Sequence, residues 1–298
     1  MIEKIRTTIK DLWIAFRPLS LTLALSSTTI GILLAYKDGG ISLEKVSYDA
    51  LYIGLVTIAG MLILSCANLI NDFYEGSFKY DRPLEKTYNF LGYQRSLFDL
   101  LVFFTSLICL GLAGLIGIFI MFSRNMNLFW IGLMGMIGSY AYTGEPFVYK
   151  RHGLGTVLSF ILVGPLMVMG SYMVFVKDLS LTPLLLSTPP SIMIALMMLS
   201  NEIRDYESDQ KKGIQTMTVK LGISFGYRAY RYLGILSYLL IMIFVGMGLL
   251  PKLSLLVLVT LPLFIKAYKT VAQEFSGIRI TNLLHIAYNL IFILTLML

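Results

Sequence analysis

The sequence predicts an all-α integral membrane protein, a single domain over residues 1–298 built as a bundle of about nine transmembrane helices. Composition is the first observation behind this. Of the residues 57% are hydrophobic and 14% charged, with a mean hydropathy of +0.77, whereas a soluble domain carries about 25% charge. The second is that mostly apolar runs of about 18 residues or more recur along the whole chain, the length that crosses a hydrocarbon layer of about 30 Å.

Residues 1–17 read as an amphipathic helix lying in the membrane interface. Ile5, Ile9, Leu12, Trp13 and Phe16 share one face, with Lys4, Lys10 and Asp11 elsewhere. Charge is mixed into this stretch, so it does not read as a cleavable signal. The predicted spans are 18–36, 48–71, 97–122, 127–143, 154–176, 181–201, 229–250, 253–270 and 281–298. The fourth is short. The sixth holds Pro189-Pro190, expected to kink it, with neighbouring helices satisfying the freed backbone groups.

Orientation follows from the Lys and Arg between the spans. Of 24 such residues, only Lys37, Lys45, Arg124, Lys177 and Lys252 fall on one side, and the other 19 share the opposite face with the N-terminus. That basic face is the cytoplasmic one, in a multi-pass cell-membrane protein whose odd span count leaves the C-terminus outside. The same bias accounts for the net charge of +7: it is a rim for the bilayer, not a nucleic-acid patch. No obligatory protein partner is evident. Cys66 and Cys109 sit in apolar runs and read as packing residues.

Two polar segments end spans two and six on the basic face. In the first, Asn68, Asp72 and Glu75 fall at i, i+4 and i+7, and Asn71 lies four before Glu75. In the second, Asn201, Asp205, Asp209 and Lys212 fall at i, i+4, i+8 and i+11. Each set projects a stripe of oxygen ligands from one helix face. Asn68 and Asn71 continue from an apolar run, where an unsatisfied amide is costly, so they are expected to face a polar cavity. Mg²⁺ is commonly held by one or two carboxylates plus substrate phosphate. Opposed carboxylate stripes therefore suit metal ions bridging a diphosphate. Lys79, Arg82, Arg151, Arg204 and Lys212 are placed to clamp the remaining phosphate charge.

A third segment, Tyr140 to Gly155, follows span four on the same face and contains a Thr143-Gly144-Glu145-Pro146 turn signal. Phe147 and Tyr149 read either as interfacial aromatics or as an aromatic wall near a developing cation. His152 is either a base or a solvated loop imidazole, and His285, mid-span, is a packed polar contact.

At these residues the chain resembles the UbiA superfamily of membrane prenyltransferases over nearly its full length. Asn71-Asp72-x-x-Glu75 matches that family's first acidic motif and Asn201-x-x-x-Asp205-x-x-x-Asp209 its second. Within the family it most resembles the menaquinone branch, which includes 1,4-dihydroxy-2-naphthoate prenyltransferases and the vertebrate vitamin K₂ enzyme. Arg17-Pro18, Lys79-x-Asp81, Tyr142-Thr-Gly144, Gly153-Leu-Gly155 and Thr216-x-x-Val219-x-Leu221-Gly222 carry that likeness. Glu75 stands where Asp is usual, Glu202 where a second Asn is frequent, and Lys79 where other branches place a third Asp.

The resemblance implies a nine-helix bundle around a central cavity with a lateral opening for lipidic substrates. It implies a Mg²⁺-dependent enzyme that moves an isoprenyl chain from an allylic prenyl diphosphate to a small aromatic acceptor. Asn71, Asp72, Glu75, Asp81, Asp205 and Asp209 are the expected metal ligands, with Tyr140 or Tyr142 facing the allylic cation. Arg17, Asn68, Lys79, Arg82, Arg151, Asn201, Arg204 and Lys212 are expected on the diphosphate. The rival class is a secondary transporter, whose site would sit near the bilayer midplane rather than at one face. Within the enzyme reading the acceptor is left open among a dihydroxynaphthoate, 4-hydroxybenzoate, homogentisate, a tetrapyrrole and a glycerophosphate lipid.

Overall fold

The computed structural model describes residues 2–42, 46–76, 86–177, 180–274 and 277–298. Lys79, Asp81 and Arg82 lie outside the described residues. Among those described, eight helices are long and apolar enough to cross a membrane, and a ninth apolar helix is shorter.

Helix α1 (Ile2–Phe16) runs into α2 (Leu21–Lys37) through a 3₁₀ turn at Pro18–Ser20, entered by Arg17 at φ 51°. Helix α3 (Val46–Glu75) carries the first polar segment at its end. A hairpin of β1 (Thr87–Phe90) and β2 (Tyr93–Ser96) follows, pairing Thr87 with Ser96 and Phe90 with Tyr93. Next come α4 (Leu97–Ser123) and the short α5 (Leu128–Ala141). Ser96 and Asp99 form a reciprocal capping box that starts α4. On α4 the exposed side chains Leu101, Phe104, Ile108, Leu112, Leu115, Phe119 and Phe122 recur at helical spacing, a stripe facing lipid.

The predicted span 154–176 is broken: α6 (Gly155–Ile161), a π-turn at Leu162–Leu166, then α7 (Met167–Met173). Here the kink falls at Gly164 (φ −88°, ψ −108°), because Pro165 removes a backbone donor and pushes the residue before it out of the α region. The kink expected at Pro189-Pro190 is not marked there. Helix α8 (Thr182–Arg204) runs continuously through the pair, and Ser237 donates to the Pro189 carbonyl (2.8 Å) from a neighbouring helix.

The break lets α8 approach closely. A Cβ on Gly164 would lie 2.4 Å from Ser191 Oγ and 2.5 Å from its Cβ. Gly164→Ala is therefore expected to cost about 1–3 kcal/mol by overpacking. Thermal melts in detergent check it, and the loss should shrink in a Ser191→Gly background, which removes the clashing atoms.

After α8 come α9 (Tyr206–Lys211), α10 (Met217–Leu221) and α11 (Ile223–Gly246). A 3₁₀ stretch at Lys252–Thr260 then leads into α12 (Leu261–Glu274) and α13 (Ile278–Met297). The span expected at 229–250 thus begins earlier, and 253–270 is half 3₁₀. The main core gathers Tyr172, Ile192, Leu199, Tyr230, Tyr288 and Phe292. Inter-helix hydroxyl bonds stitch it, as in Tyr230 with Thr281 (2.9 Å) and Ser237 to Tyr288 (2.6 Å). Cys66 and Cys109 are buried and free, and His285 is buried beside Ser26 at 3.4 Å.

Candidate active site

A cavity of about 350 Å³ runs between α2, α3, α4, α5, the broken α6–α7 span and α8. Arg17, Asn68, Tyr142 and Asn201 line one end, and Val56, Ile120 and Val174 the other. From Asn68 to Val56 the α3 axis covers about 18 Å at 1.5 Å per residue. The far end stops a turn short of Arg124, which bonds Asp49 (2.7 Å) and stacks over Tyr52 (3.9 Å). Along α5, Phe129 and Leu133 line the cavity and are exposed.

Both acidic segments meet at the polar end. Arg17 Nη2 donates to Asn71 Oδ1 (2.6 Å), and Asn71 Nδ2 donates to Glu75 Oε2 (2.7 Å). Lys150 donates to the same oxygen of Glu75 (2.5 Å), both side chains being largely buried. Asn71 and Asp72 are buried. Asn68 uses its amide to hold the α1–α2 junction, donating to Phe16 O (3.0 Å) and Ser20 Oγ (2.8 Å).

The second segment does not form the uninterrupted stripe that its spacing suggests. Helix α8 ends at Arg204, Asp205 sits between helices at φ −89°, ψ 2°, and α9 begins at Tyr206. The Asp209 N–H still bonds Asp205 O (2.7 Å), so Asp209 turns back to the site and is buried. Asp205 is half-exposed and gripped in a fork by Arg204, at 2.6 and 2.5 Å.

Burial pushes the Asp209 carboxyl up to about 6. Lys150 opposes the rise, Asp205 and Glu75 add to it, and Lys212 opposes it. Glu75, Lys150 and Lys212 therefore lie within electrostatic reach of Asp209.

The loop after α5 supplies the wall. Tyr142 lines the cavity within electrostatic reach of Glu75, Glu202, Arg17 and Asp209, and Tyr149 packs edge-on to it at 5.4 Å. Burial raises the Tyr149 phenol, keeping it protonated. Tyr140 turns away: it stacks over Gly144 and meets Tyr74 OH at 3.5 Å. Phe147 is exposed. Arg151 lies towards Tyr93, whose hydroxyl donates to Glu145, rather than beside Glu75 or Asp209. His152 approaches the Val148 carbonyl at 3.4 Å.

Among the described residues no three acidic, His or Cys side chains converge closely enough to hold a metal by themselves. Two buried carboxylate oxygens, Glu75 Oε1 and Asp209 Oδ2, nonetheless have no hydrogen-bond partner. Orphaned oxygens on both segments suit an ion that completes its shell with substrate phosphate, and the donor set fits Mg²⁺.

Residues 24–281 match the UbiA prenyltransferase family. The chain belongs to that family. UbiA prenyltransferase domain-containing protein 1 of Xenopus tropicalis is 31% identical over 230 residues, 76% of this chain and 64% of that protein. The 1,4-dihydroxy-2-naphthoate octaprenyltransferase of Bacillus subtilis (strain 168) is 28% identical over 213 residues, 71% of this chain and 66% of that protein. The chain thus spans slightly under two thirds of these relatives' own length. The UbiA homolog from Archaeoglobus fulgidus bound to DMAPP and Mg²⁺ shares the fold, with TM-score 0.56 at 14% identity, covering 93% of this chain and 97% of that one. Family membership and the apolar helices make this UbiA chain a multi-pass membrane protein.

Sequence reasoning missed Lys150, which looks like any basic loop residue until it reaches Glu75, 75 positions away. It also missed the hairpin that roofs the loop through Tyr93.

Because the Asp209 carboxyl sits near 6, protons compete with a divalent cation below that pH. Mn²⁺ affinity is expected to fall about tenfold per pH unit below 6, one proton being displaced per ion. The metal-free protein has the opposite sign. A raised carboxyl favours the fold when protonated, so stability is fullest below the ordinary carboxylate range and declines as pH rises through about 6. Melts across pH 5–8 with and without Mn²⁺ check both.

Proposed function

We propose that this chain transfers an isoprenyl group from an allylic diphosphate to a small aromatic acceptor of the dihydroxynaphthoate kind, with Mg²⁺ as cofactor, in quinone biosynthesis. The observation that carries the reading is the pair of orphaned buried oxygens, Glu75 Oε1 and Asp209 Oδ2, on side chains within electrostatic reach of each other near the polar end of an apolar cavity lined by Tyr142. The named relatives support it: one is a 1,4-dihydroxy-2-naphthoate octaprenyltransferase, and the Archaeoglobus homolog holds DMAPP and Mg²⁺.

Asn71, Asp72, Glu75, Asp205 and Asp209, together with Asp81, would hold the metal, with diphosphate oxygens completing its shell. When bound it supplies Lewis-acid neutralisation of the diphosphate. Arg17, Lys150 and Lys212 take up charge as the allylic C–O bond breaks and its electron pair leaves with the diphosphate. Arg204, forked on Asp205, exchanges to phosphate, and Asn68 and Asn201 shape the cavity mouth. The Tyr142 face stabilises the allylic cation through its ring quadrupole, Tyr149 props that ring, and the apolar walls exclude water. A ring carbon of the acceptor attacks, the new C–C bond forms, and the displaced ring proton leaves with the diphosphate.

The basic face that carries the site is assigned to the cytoplasm of the cell membrane, and α5 to a ninth crossing. Helix α1 lies in the interface, with Ile9, Trp13 and Ile14 exposed on it.

Purified protein assayed with geranyl and longer allylic diphosphates against a panel of aromatic acceptors, with product mass read, tests the reading. A prenylated aromatic product supports it, and intact donors with every acceptor overturn it. Gly135 lines the lumen, and its Cβ position lies 3.7 Å from Ile63, which also lines it. Gly135→Leu narrows the cavity about 8 Å below Asn68 by the helix rise. It is expected to penalise long donors more than geranyl diphosphate in the same assay.

A further inference from the structure

Glu202 lies between Asn201 and Arg204 on α8 yet takes no place in the chemistry described above. It is buried, at 6% exposure, and its carboxylate accepts three hydrogen bonds. Thr156 Oγ1 donates to Oε1 (2.7 Å), and the backbone N–H and the hydroxyl of Thr218 donate to Oε2 (2.9 Å each). Among the described residues no cation pairs with it. A buried carboxylate held only by neutral donors costs desolvation, so its position is informative.

Its partners lead to both halves of the site. Thr156 stands in the first turn of α6, where the 142–153 loop ends. Thr218 sits in α10, whose Lys220 donates to the His152 carbonyl (2.8 Å) and so straps the same loop from the other side. That loop delivers Lys150 to Glu75. Among the described residues, Glu202 is thus the single side chain on the second acidic segment bonded to both anchors of the loop that serves the first.

We propose that Glu202 is a positioning residue that holds the two acidic half-sites in register through Thr156 and Thr218. The role needs its hydrogen-bond pattern, not its charge. A glutamine can keep Oε1 under both Thr218 donors while its amide donates to the Thr156 hydroxyl, which rotates to accept. This inference rests on the diphosphate-and-metal reading of the site.

The test is Mn²⁺ binding in the presence of inorganic diphosphate, followed by electron paramagnetic resonance on the detergent-purified full chain. Glu202→Ala is expected to weaken Mn²⁺ about 10- to 100-fold, the usual loss when a ligand's supporting partner is removed. Glu202→Gln should restore near-native binding, and Lys220→Met should weaken it part-way. Should Glu202→Ala not fold, Thr156→Val, which removes one of the three bonds, is expected to shift affinity in the same direction. Native affinity in the Ala or Val variant, or Gln as weak as Ala, overturns the proposal. A wild-type chain that binds no Mn²⁺ with diphosphate overturns the functional reading, and this inference with it.

Discussion

Replacing Asp72 or Asp205 with alanine is expected to lower prenyl transfer by at least about 10³-fold while the protein still inserts and folds. Metal-assisted charge stabilisation supplies several kcal/mol, and each 1.36 kcal/mol is tenfold in rate. The two positions report on different halves. Asp72 is buried on α3, whereas Asp205 is half-exposed at the break after α8 and engaged by Arg204. Transfer rates measured beside a thermal melt separate the cases. Near-native rates in both variants contradict the ligand assignment, while a lost melt in either reports folding instead.

Lys150→Met is the second large effect. Lys150 and Glu75 form an ion pair at 2.5 Å with side chains 14% and 13% exposed. Removing one partner of a buried pair leaves the other charge uncompensated, which destabilises by about 3–5 kcal/mol. The substitution also removes a cation from the proposed diphosphate clamp, for which a loss of about 10²–10³-fold in kcat is expected on the scale of a missing anion-stabilising donor. A lower thermal midpoint together with that loss is expected. Lys150→Arg, which keeps the charge, should recover most of the midpoint. An unchanged midpoint in Lys150→Met contradicts the ion pair as a structural element.

Sequence reading found what periodicity and composition encode. Apolar runs place α2, α3, α4, α8 and α13 because no other solvent tolerates them. Asn71 donates to Glu75, four positions on, as helical spacing places them on one face. Other features depend on backbone detail or on contacts distant in sequence. The hairpin turn uses Leu91 at φ 51° before Gly92 at φ 76°, and a leucine there hides the usual Asn-Gly signal. The kink required choosing between two proline sites. Gly164, which yields, precedes Pro165, whereas Pro189-Pro190 stays within continuous helix. Asp205 breaks the second stripe, which a count of helical positions assumes away. Tyr142 rather than Tyr140 lines the cavity because the chain leaves α5 between them, which only the course of the loop decides. Glu202 read as a departure from the family pattern, and its meaning waited on Thr156 and Thr218.

Diphosphate release by the purified chain tests the central claim most directly. The protein is incubated with geranyl diphosphate and 1,4-dihydroxy-2-naphthoate, with and without Mg²⁺, and inorganic diphosphate is measured against time. The account predicts release that needs Mg²⁺, is accelerated by the acceptor and disappears in Asp72→Ala. Release that ignores Mg²⁺, or passage of an intact solute across proteoliposomes with no diphosphate formed, contradicts it.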